Sequence, residues 1–167
     1  MTMENVTPRS LLATDLDGTL IPLDGETANR DALETIGDRQ AAGEFSLVFV
    51  TGRHLSSVIQ AMGQYALPTP SAIICDVGTT ICQPDAGGSW EGVDDYARHL
   101  QSILGPLHIG ELDSQMSSVE RLRKQESAKL GPFKLSYYTD ADFLEETTAQ
   151  VHALLERASA ACEVIAS

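Results

Sequence analysis

Two carboxylates separated by one residue follow a short apolar segment near the start of the chain. Residues 10–14 (SLLAT) are typical of a buried strand, and DLDGTL follows at 15–20. Side chains two apart on a strand share a face, so Asp15 and Asp17 are predicted to address one ligand if the chain turns after Asp15. One carboxylate then suits nucleophilic attack on phosphorus and the other suits proton transfer. Mg²⁺, which prefers hard oxygen ligands, would hold both acids and offset their repulsion.

Two other interpretations of this segment stay open. An acid-rich turn at a strand end is common, and Asp-Gly is ordinary turn chemistry. A calcium loop would use Asp15, Asp17, Thr19 and Glu26 at loop positions 1, 3, 5 and 12. It fits less well, because Leu20 then stands at position 6, where the sharp turn requires Gly, and because the preceding segment is strand-like rather than helical.

A Thr-Gly-Arg sequence closes the next apolar segment. FSLVFV (45–50) is predicted to be a buried strand, and Thr51, Gly52 and Arg53 connect it to a helix predicted over 54–64. A hydroxyl at a strand end, beside free N–H groups at a helix N-terminus, is suited to bind phosphate. Arg53 is a candidate contact for phosphate or sugar, and a salt bridge on the first helical turn is an equally good interpretation.

The first half of the chain is predicted to form an α/β core. Apolar spacing predicts a helix over 27–42, and AIIC (72–75) is typical of a third strand, followed by Asp-Val-Gly-Thr at 76–79. Three strands separated by two helices predict part of a doubly wound parallel sheet with a Rossmann-like topology. The active edge of such a sheet lies at the carboxyl ends of its strands.

The second half has a different pattern, that of a separate α+β unit. Its predicted elements are helices over 91–104 and 141–158 and strands over 133–139 and 162–166, with a mixed region over 105–131. We place the boundary near residue 84, which gives an N-terminal core half over 1–84 and a cap-like unit over 85–167.

Composition excludes several classes of partner. The formal charge is −13, with 24 acidic residues against 11 Lys and Arg, which argues against nucleic acids and anionic membranes. The three cysteines form no C-x-x-C pair, so that a disulfide framework is not expected and a cytoplasmic location is the default. Neither a signal peptide nor a membrane span is expected, since no apolar run approaches 18 residues.

DLDGT after an apolar strand, with a Thr at the end of the next strand, resembles the first two motifs of the haloacid-dehalogenase-like hydrolases. The resemblance implies a Mg²⁺-dependent phosphatase in which Asp15 is the nucleophile and forms an aspartyl-phosphate. It implies that Asp17 protonates the leaving oxygen and later activates water, and that Thr51 binds phosphate. Relatives that pump cations carry Thr at the second acidic position, so Asp17 favours phosphatase or mutase chemistry.

Further segments resemble the sucrose-phosphate phosphatases, which are capped sugar phosphatases. These segments are AIICDVGTTIC, SW with the helix after it, and GPFKLSYY. The resemblance implies that Gly78 and Thr79 lie near the phosphate and that Lys134 faces the sugar from a cap strand. A solvated Lys134 is an equally good interpretation. The five basic residues over 121–134 fit a patch that attracts an anion, although we favour a charged surface segment.

Two later motifs of the family are missing from these 167 residues. The third is a Lys and the fourth is an acidic cluster that completes the metal site, and the chain stops at VIAS. We therefore expect a portion of a longer protein, with weak Mg²⁺ binding and little turnover by itself. The nucleophile-bearing strand is central in the family, so one of its edges is expected to be unpaired and open to self-association or to a partner.

The first-choice function is hydrolysis of a sugar phosphate resembling sucrose-6-phosphate. The alternatives are a capped phosphatase for another sugar or glyceryl-glycoside phosphate, and a non-catalytic or regulatory module that binds phosphorylated ligands. A receiver-like phosphoacceptor domain fits poorly, because its acceptor aspartate lies later in the chain.

Overall fold

The chain folds into two compact units, Met1–Val93 and Asp94–Ser167. In the computed structural model, residues 10–22 and 30–166 are described. Each unit has a hydrophobic cluster of its own.

The first unit contains a five-stranded mixed sheet. Its strands are β1 (Leu11–Thr14), β2 (Ser46–Val50), β3 (Ala72–Cys75), β4 (Thr80–Pro84) and β5 (Trp90–Gly92), in the spatial order β1-β2-β3-β4-β5. β1, β2 and β3 are parallel, as predicted. β4 and β5 add an antiparallel hairpin. The predicted division at residue 84 falls inside this hairpin.

The predicted α/β fold is confirmed, and two helices connect the parallel strands. These are α1 (Arg30–Ala41) and α2 (Leu55–Tyr65). The predicted start of the first helix, over 27–29, lies outside the described residues. Leu33 and Ile36 of α1 pack against the core, and Val58 of α2 is fully buried in it. Parallel neighbours need such crossover connections, because a tight turn cannot join them.

The core of the first unit lies against the middle of the sheet. Leu47 and Phe49 on β2, together with Ile73 on β3, have no exposed surface. β1 is different, because within the described part of the chain it pairs only with β2. Leu11 on β1 is 66% exposed. The unpaired edge expected for the strand that precedes Asp15 is therefore present in these residues.

The second unit is mainly helical. It comprises α3 (Asp94–Leu104), α4 (Ile109–Met116), α5 (Leu144–Arg157) and a short antiparallel pair formed by β6 (Arg123–Lys124) and β7 (Tyr137–Tyr138). Its buried cluster contains Leu112, Met116, Val119, Leu154 and Leu155. The cluster joins α4 to α5, so these two helices carry the unit's core.

Several predictions for the second unit were wrong in detail. The strand predicted over 133–139 is reduced to the two residues of β7, because the backbone turns where Gly131 and Lys134 exchange hydrogen bonds of 3.0 and 3.3 Å. The segment 162–166, predicted as a strand, is irregular, and its Ile165 is 63% exposed. The helix predicted from 91 begins at Asp94, since the preceding residues form β5. α4 lies in the region that the pattern left unassigned.

All three cysteines, Cys75, Cys82 and Cys162, are free thiols. Burial raises the pKa of the Cys75 thiol to about 12. None of the described helices combines the length and the apolar character that crossing a bilayer requires.

We predict that two leucines on adjacent strands differ sharply in their effect on stability. Leu47→Ala should lower the free energy of unfolding by about 2–5 kcal/mol, because Leu47 is fully buried. Leu11→Ala is the matched control and should cost no more than about 0.5 kcal/mol. Urea denaturation followed by the fluorescence of Trp90, the single tryptophan, reports on this unit. A loss at Leu11 as large as that at Leu47 would show that the β1 edge is covered in solution.

Candidate active site

The parallel strands bring three loops to one edge of the sheet. Thr14 ends β1 opposite Phe49, and Val50 ends β2 opposite Ile74. The residues that follow β1, β2 and β3 are therefore side by side at the carboxyl edge. These residues are Asp15–Gly18, Thr51–Arg53 and Asp76–Thr79, so the three predicted motifs of the first unit meet there.

The loop after β1 is anchored by alternate residues. Leu16 has no exposed surface and packs in the core, whereas Asp15 and Asp17 on either side of it are exposed. The amide of Ile21 donates to the carbonyl of Leu16 at 2.7 Å, which closes a tight turn. Gly18 has a φ of +73° in this turn, a region that favours glycine. Both carboxylates are therefore exposed beyond the carboxyl end of β1.

This geometry disfavours a calcium loop. The segment is entered from a strand, β1, rather than from a helix. Leu20 is only 6% exposed and belongs to the core. Glu26, the predicted last ligand of such a loop, lies outside the described residues.

The loop after β2 holds Thr51 in a buried position. Thr51 is 5% exposed, and its hydroxyl oxygen accepts a hydrogen bond from the amide of Arg53 at 3.3 Å. Its own amide donates to the carbonyl of Ile74 at 2.9 Å. A hydroxyl that accepts one hydrogen bond still has its hydrogen to donate. Thr51 can therefore donate to a phosphate oxygen at this edge.

Arg53 links the loop after β2 to the loop after β1. Its Nε donates to Asp17 Oδ2 at 2.8 Å, and its Nη2 donates to Asp17 Oδ1 at 2.6 Å. Its Nη1 donates to Ser57 Oγ at 3.1 Å. This two-point contact is the strongest geometry for an Arg–carboxylate pair. Arg53 thus forms a salt bridge, but with the second acid of DLDGT and not within the first turn of the helix, where the alternative interpretation placed it.

The ion pair changes the charge balance of the site. Its hydrogen bonds hold the pKa of Asp17 below the ordinary value of 3.8, against the opposing effect of burial. They raise the pKa of Arg53 for the same reason. Asp17 is therefore ionised at neutral pH while Arg53 is bonded to it.

The loop after β3 is a tight turn. The carbonyl of Asp76 accepts hydrogen bonds from the Thr79 hydroxyl at 2.8 Å and from the Thr79 amide at 3.2 Å. Gly78 has a φ of +90°. Both residues that the family resemblance singled out, Gly78 and Thr79, are therefore at the same edge as Asp15 and Thr51.

Lys134 and the basic segment belong to the second unit. Lys134 lies in the turn that begins at Gly131 and is partly buried. Other basic residues of this segment have partners within the unit. Arg121 stacks on Phe143 at 3.5 Å, Arg123 pairs with Asp140 at 3.8 Å, Lys124 pairs with Asp113, and Lys129 pairs with Glu126 at 3.1 Å. These contacts reduce the positive potential of the segment. They agree with the interpretation as a charged surface segment better than with a patch that attracts an anion.

The residues at the sheet edge are compatible with Mg²⁺ in their chemistry. Asp15 and Asp17 supply exposed carboxylate oxygens, and Mg²⁺ in proteins is usually held by one or two carboxylates together with water and phosphate. No group of three or more His, Cys, Asp or Glu side chains within 10–22 and 30–166 is placed to hold a metal. The described residues therefore supply two candidate carboxylate ligands and no complete metal site.

Two features of the site had no clear signal in the sequence. His54 caps α2, and its Nδ1 accepts a hydrogen bond from the amide of Ser57 at 3.3 Å. None of the four histidines has the spacing of metal ligands, so the sequence gives no signal for His54. Asp76 is 7% exposed and Val77 has a positive φ, and neither was singled out. Only the position of Asp76 at a strand end could have indicated it.

Comparison with solved structures defines the class of protein. The chain is similar to the X-ray structure of the sucrose-phosphatase from Synechocystis sp. in complex with sucrose and phosphate, with a TM-score of 0.78 and 26% identity. The similarity covers 95% of this chain and 60% of that chain. The fold is therefore that of a phosphatase of the haloacid-dehalogenase-like superfamily.

The sequence comparison is more specific. The sequence model of the Sucrose-6F-phosphate phosphohydrolase family matches residues 8–167, and the chain belongs to this family. Over 131 residues it is 32% identical to a HAD-like hydrolase of Nitrosococcus oceani, which covers 77% of this chain and 34% of that protein. Over 113 residues it is 41% identical to a glucosylglycerol-phosphate synthase of Pseudomonas anguilliseptica, which covers 66% of this chain and 13% of that protein. The chain thus spans about a third or less of the length of these two relatives.

We predict that Arg53→Gln raises the pKa of Asp17 toward 3.8, because the neutral amide cannot replace the charged two-point contact. Carboxyl NMR during a pH titration measures the shift. Arg39→Gln is the matched control, since Arg39 pairs with Glu44 on the surface at 2.8 Å and should leave the pKa of Asp17 unchanged.

The same substitution gives a pH-dependent loss of stability. The pKa of Asp17 is lower in the folded state than in the unfolded state, so the pair stabilises the fold above the unfolded value and ceases to do so as the pH falls through the folded value. The Asp17 side chain is 54% exposed, so the difference at neutral pH should not exceed about 1 kcal/mol. An identical pKa of Asp17 with and without Arg53 would contradict the role given to this ion pair.

Proposed function

We propose that this chain carries the nucleophile and part of the phosphate site of a Mg²⁺-dependent phosphatase that hydrolyses a sugar phosphate resembling sucrose-6-phosphate. The proposal rests mainly on one observation, the contact between Arg53 of the loop after β2 and Asp17 of the loop after β1. That contact joins a cation and a pair of exposed carboxylates at one sheet edge. Membership of the phosphohydrolase family supports it.

In the proposed reaction, a carboxylate oxygen of Asp15 attacks phosphorus and the ester bond between phosphorus and the sugar oxygen breaks. Asp17, protonated, gives its proton to that oxygen, so that the sugar leaves as an alcohol and the phosphoryl group remains on Asp15. Water then attacks the same phosphorus while Asp17 takes its proton. Inorganic phosphate is released and the Asp15 carboxylate is restored.

Arg53 must change partners during this cycle. While it is bonded to both oxygens of Asp17, that carboxylate is held ionised and is a poor proton donor. A phosphoryl group offers Arg53 the same planar pair of acceptors. We infer that the incoming phosphate draws Arg53 away from Asp17, which raises the pKa of Asp17 when a proton is needed.

The other residues have supporting parts in the proposal. Thr51 donates its hydroxyl hydrogen to a phosphoryl oxygen, and Gly52 leaves space for the phosphate at that point. Gly78 and Thr79 line the phosphate position, and Lys134 of the second unit contacts the sugar. Asp15 and Asp17 would hold Mg²⁺, which when bound neutralises charge on the carboxylates and the phosphoryl oxygens.

A second substrate class is favoured by a specific comparison. The 41% identity to a glucosylglycerol-phosphate synthase exceeds the identities of 32% and 26% found for the hydrolase and the sucrose-phosphatase. A glyceryl-glycoside phosphate is therefore the alternative substrate. A third proposal is a non-catalytic phosphate-binding module, for which the supporting observation is the pairing of Asp17 with Arg53, which keeps that acid ionised. The open edge of β1 supports self-association, or a partner that pairs with this strand.

We predict that Asp15→Asn lowers phosphate release by at least about a thousandfold, because the amide is a poor nucleophile. The assay follows phosphate release from sucrose-6-phosphate and a glucosylglycerol phosphate with and without Mg²⁺. It uses both this chain and the product of the gene translated to its stop codon. Asp38→Asn, an exposed aspartate of α1, is the matched control and should keep full activity.

The outcomes separate the proposals. A higher kcat/KM for one sugar phosphate identifies the substrate class. Activity that survives Asp15→Asn excludes Asp15 as the nucleophile. Absence of turnover in both forms, with inorganic phosphate still bound, would replace the phosphatase by the non-catalytic module.

A further inference from the structure

The turn after β3 holds two consecutive residues in a rare backbone conformation. Asp76 and Val77 both have a φ of +53°, and Val77 has a ψ of +36°. A β-branched residue in the left-handed region is an outlier, since its side chain is crowded by its own backbone. Such strain persists only where the surroundings determine the conformation, and it is concentrated at functional sites.

Burial of Val77 does not explain the strain. Its side chain is 45% exposed, so little apolar surface is removed from water in return. Asp76, in contrast, is 7% exposed and is held from several sides. Its Oδ2 accepts a hydrogen bond from Thr80 Oγ1 at 3.2 Å, and its carbonyl accepts one from the Thr79 hydroxyl at 2.8 Å. The hydrogen bonds of Asp76 therefore fix the turn, and the left-handed backbone conformation of Val77 is a consequence of that turn.

The segment Thr51–Arg53 is held by β3 and by the strained turn that follows it. The carbonyl of Ile74 accepts a hydrogen bond from the Thr51 amide at 2.9 Å. The amide of Asp76 donates to the carbonyl of Arg53 at 2.9 Å. Between them, a Cβ placed on Gly52 would lie 3.5 Å from Val77 Cγ1, which is van der Waals contact. The backbone is thus hydrogen-bonded at Thr51 and at Arg53, and the Val77 side chain limits the space beside Gly52.

We propose that Asp76 and Val77 are positioning residues for the phosphate-binding segment Thr51–Arg53. The turn after β3 fixes the carbonyl of Arg53 and closes one side of Gly52, so that the Thr51 hydroxyl and the Arg53 guanidinium are presented together at the sheet edge. The inference rests on the proposed function for its ligand, although the bracing itself concerns only this unit of the chain.

Three variants test this inference. Val77→Gly relieves the strain and removes the side chain beside Gly52. Val77→Asn also relieves the strain, because Asn is not branched at Cβ and tolerates this conformation. Unlike Gly, it keeps a side chain beside Gly52. Ala66→Gly is the matched control, since Ala66 has a φ of +51° at the end of α2, away from the turn. None of the three is expected to lower the melting temperature.

The first measurement is amide hydrogen exchange at Thr51 and Asp76, whose N–H groups make the two bracing hydrogen bonds. Val77→Gly should speed exchange at both amides by about tenfold, the equivalent of 1.4 kcal/mol. Val77→Asn and Ala66→Gly should leave both rates near those of the original chain. Unchanged exchange in Val77→Gly would overturn the inference whether or not the chain binds phosphate.

The second measurement is calorimetric titration with inorganic phosphate in the presence of Mg²⁺. Val77→Gly should raise the dissociation constant by about tenfold, and Val77→Asn should stay within about twofold of the original chain. Equal affinity in all variants would overturn the positioning role. If the unaltered chain binds no phosphate but the exchange rates change as expected, the proposed function fails and the bracing of Thr51–Arg53 by the turn stands.

Discussion

The parallel register of β1, β2 and β3 is the constraint on which the candidate site depends. Side chains alternate along a strand, so a shift of β1 by one residue would exchange Leu16 with its two acidic neighbours. The acids would then enter the core, where an unpaired carboxylate costs several kcal/mol. The buried side chains of Leu16, Leu20 and Ile21 fix this register from one side, and the ladder to β2 fixes it from the other. The hydrophobic core thus determines which atoms face the ligand.

Charge compensation is the second constraint. The chain has a formal charge of −13, and its candidate site contains two exposed carboxylates. Arg53 compensates the charge of one of these acids directly. Any anion that binds at this edge would therefore compete with Asp17 for the same guanidinium. Arg53 is therefore as central to the site as the acids themselves.

The sequence was sufficient for the parts of the molecule that local patterns determine. The strand-end positions of Asp15 and Thr51 follow from short apolar runs, and these runs formed the expected parallel strands. The Arg53–Asp17 contact depends on side chains 36 residues apart, so only tertiary structure could assign Arg53 its partner.

The strand predicted over 162–166 is an element that the local sequence favours and the fold does not form. Its residues favour strands, but β-propensity is realised only when a neighbouring strand is available. The antiparallel hairpin of β4 and β5 was missed because Pro84 and the glycines that follow it resemble those of an irregular turn.

The one-sided ladder of β1 also has a consequence for the cooperativity of the unit. Elements with few buried contacts open in local equilibria that cost less than global unfolding. β1 has an exposed Leu11 and hydrogen-bonds only to β2 within the described residues, so it is more easily released than the central strands β2 and β3. Release of β1 would displace Asp15 while leaving β2 and β3 folded. The fraction of molecules with Asp15 in place is then set by this subglobal equilibrium, and any strand that adds to the open edge raises that fraction without touching the site.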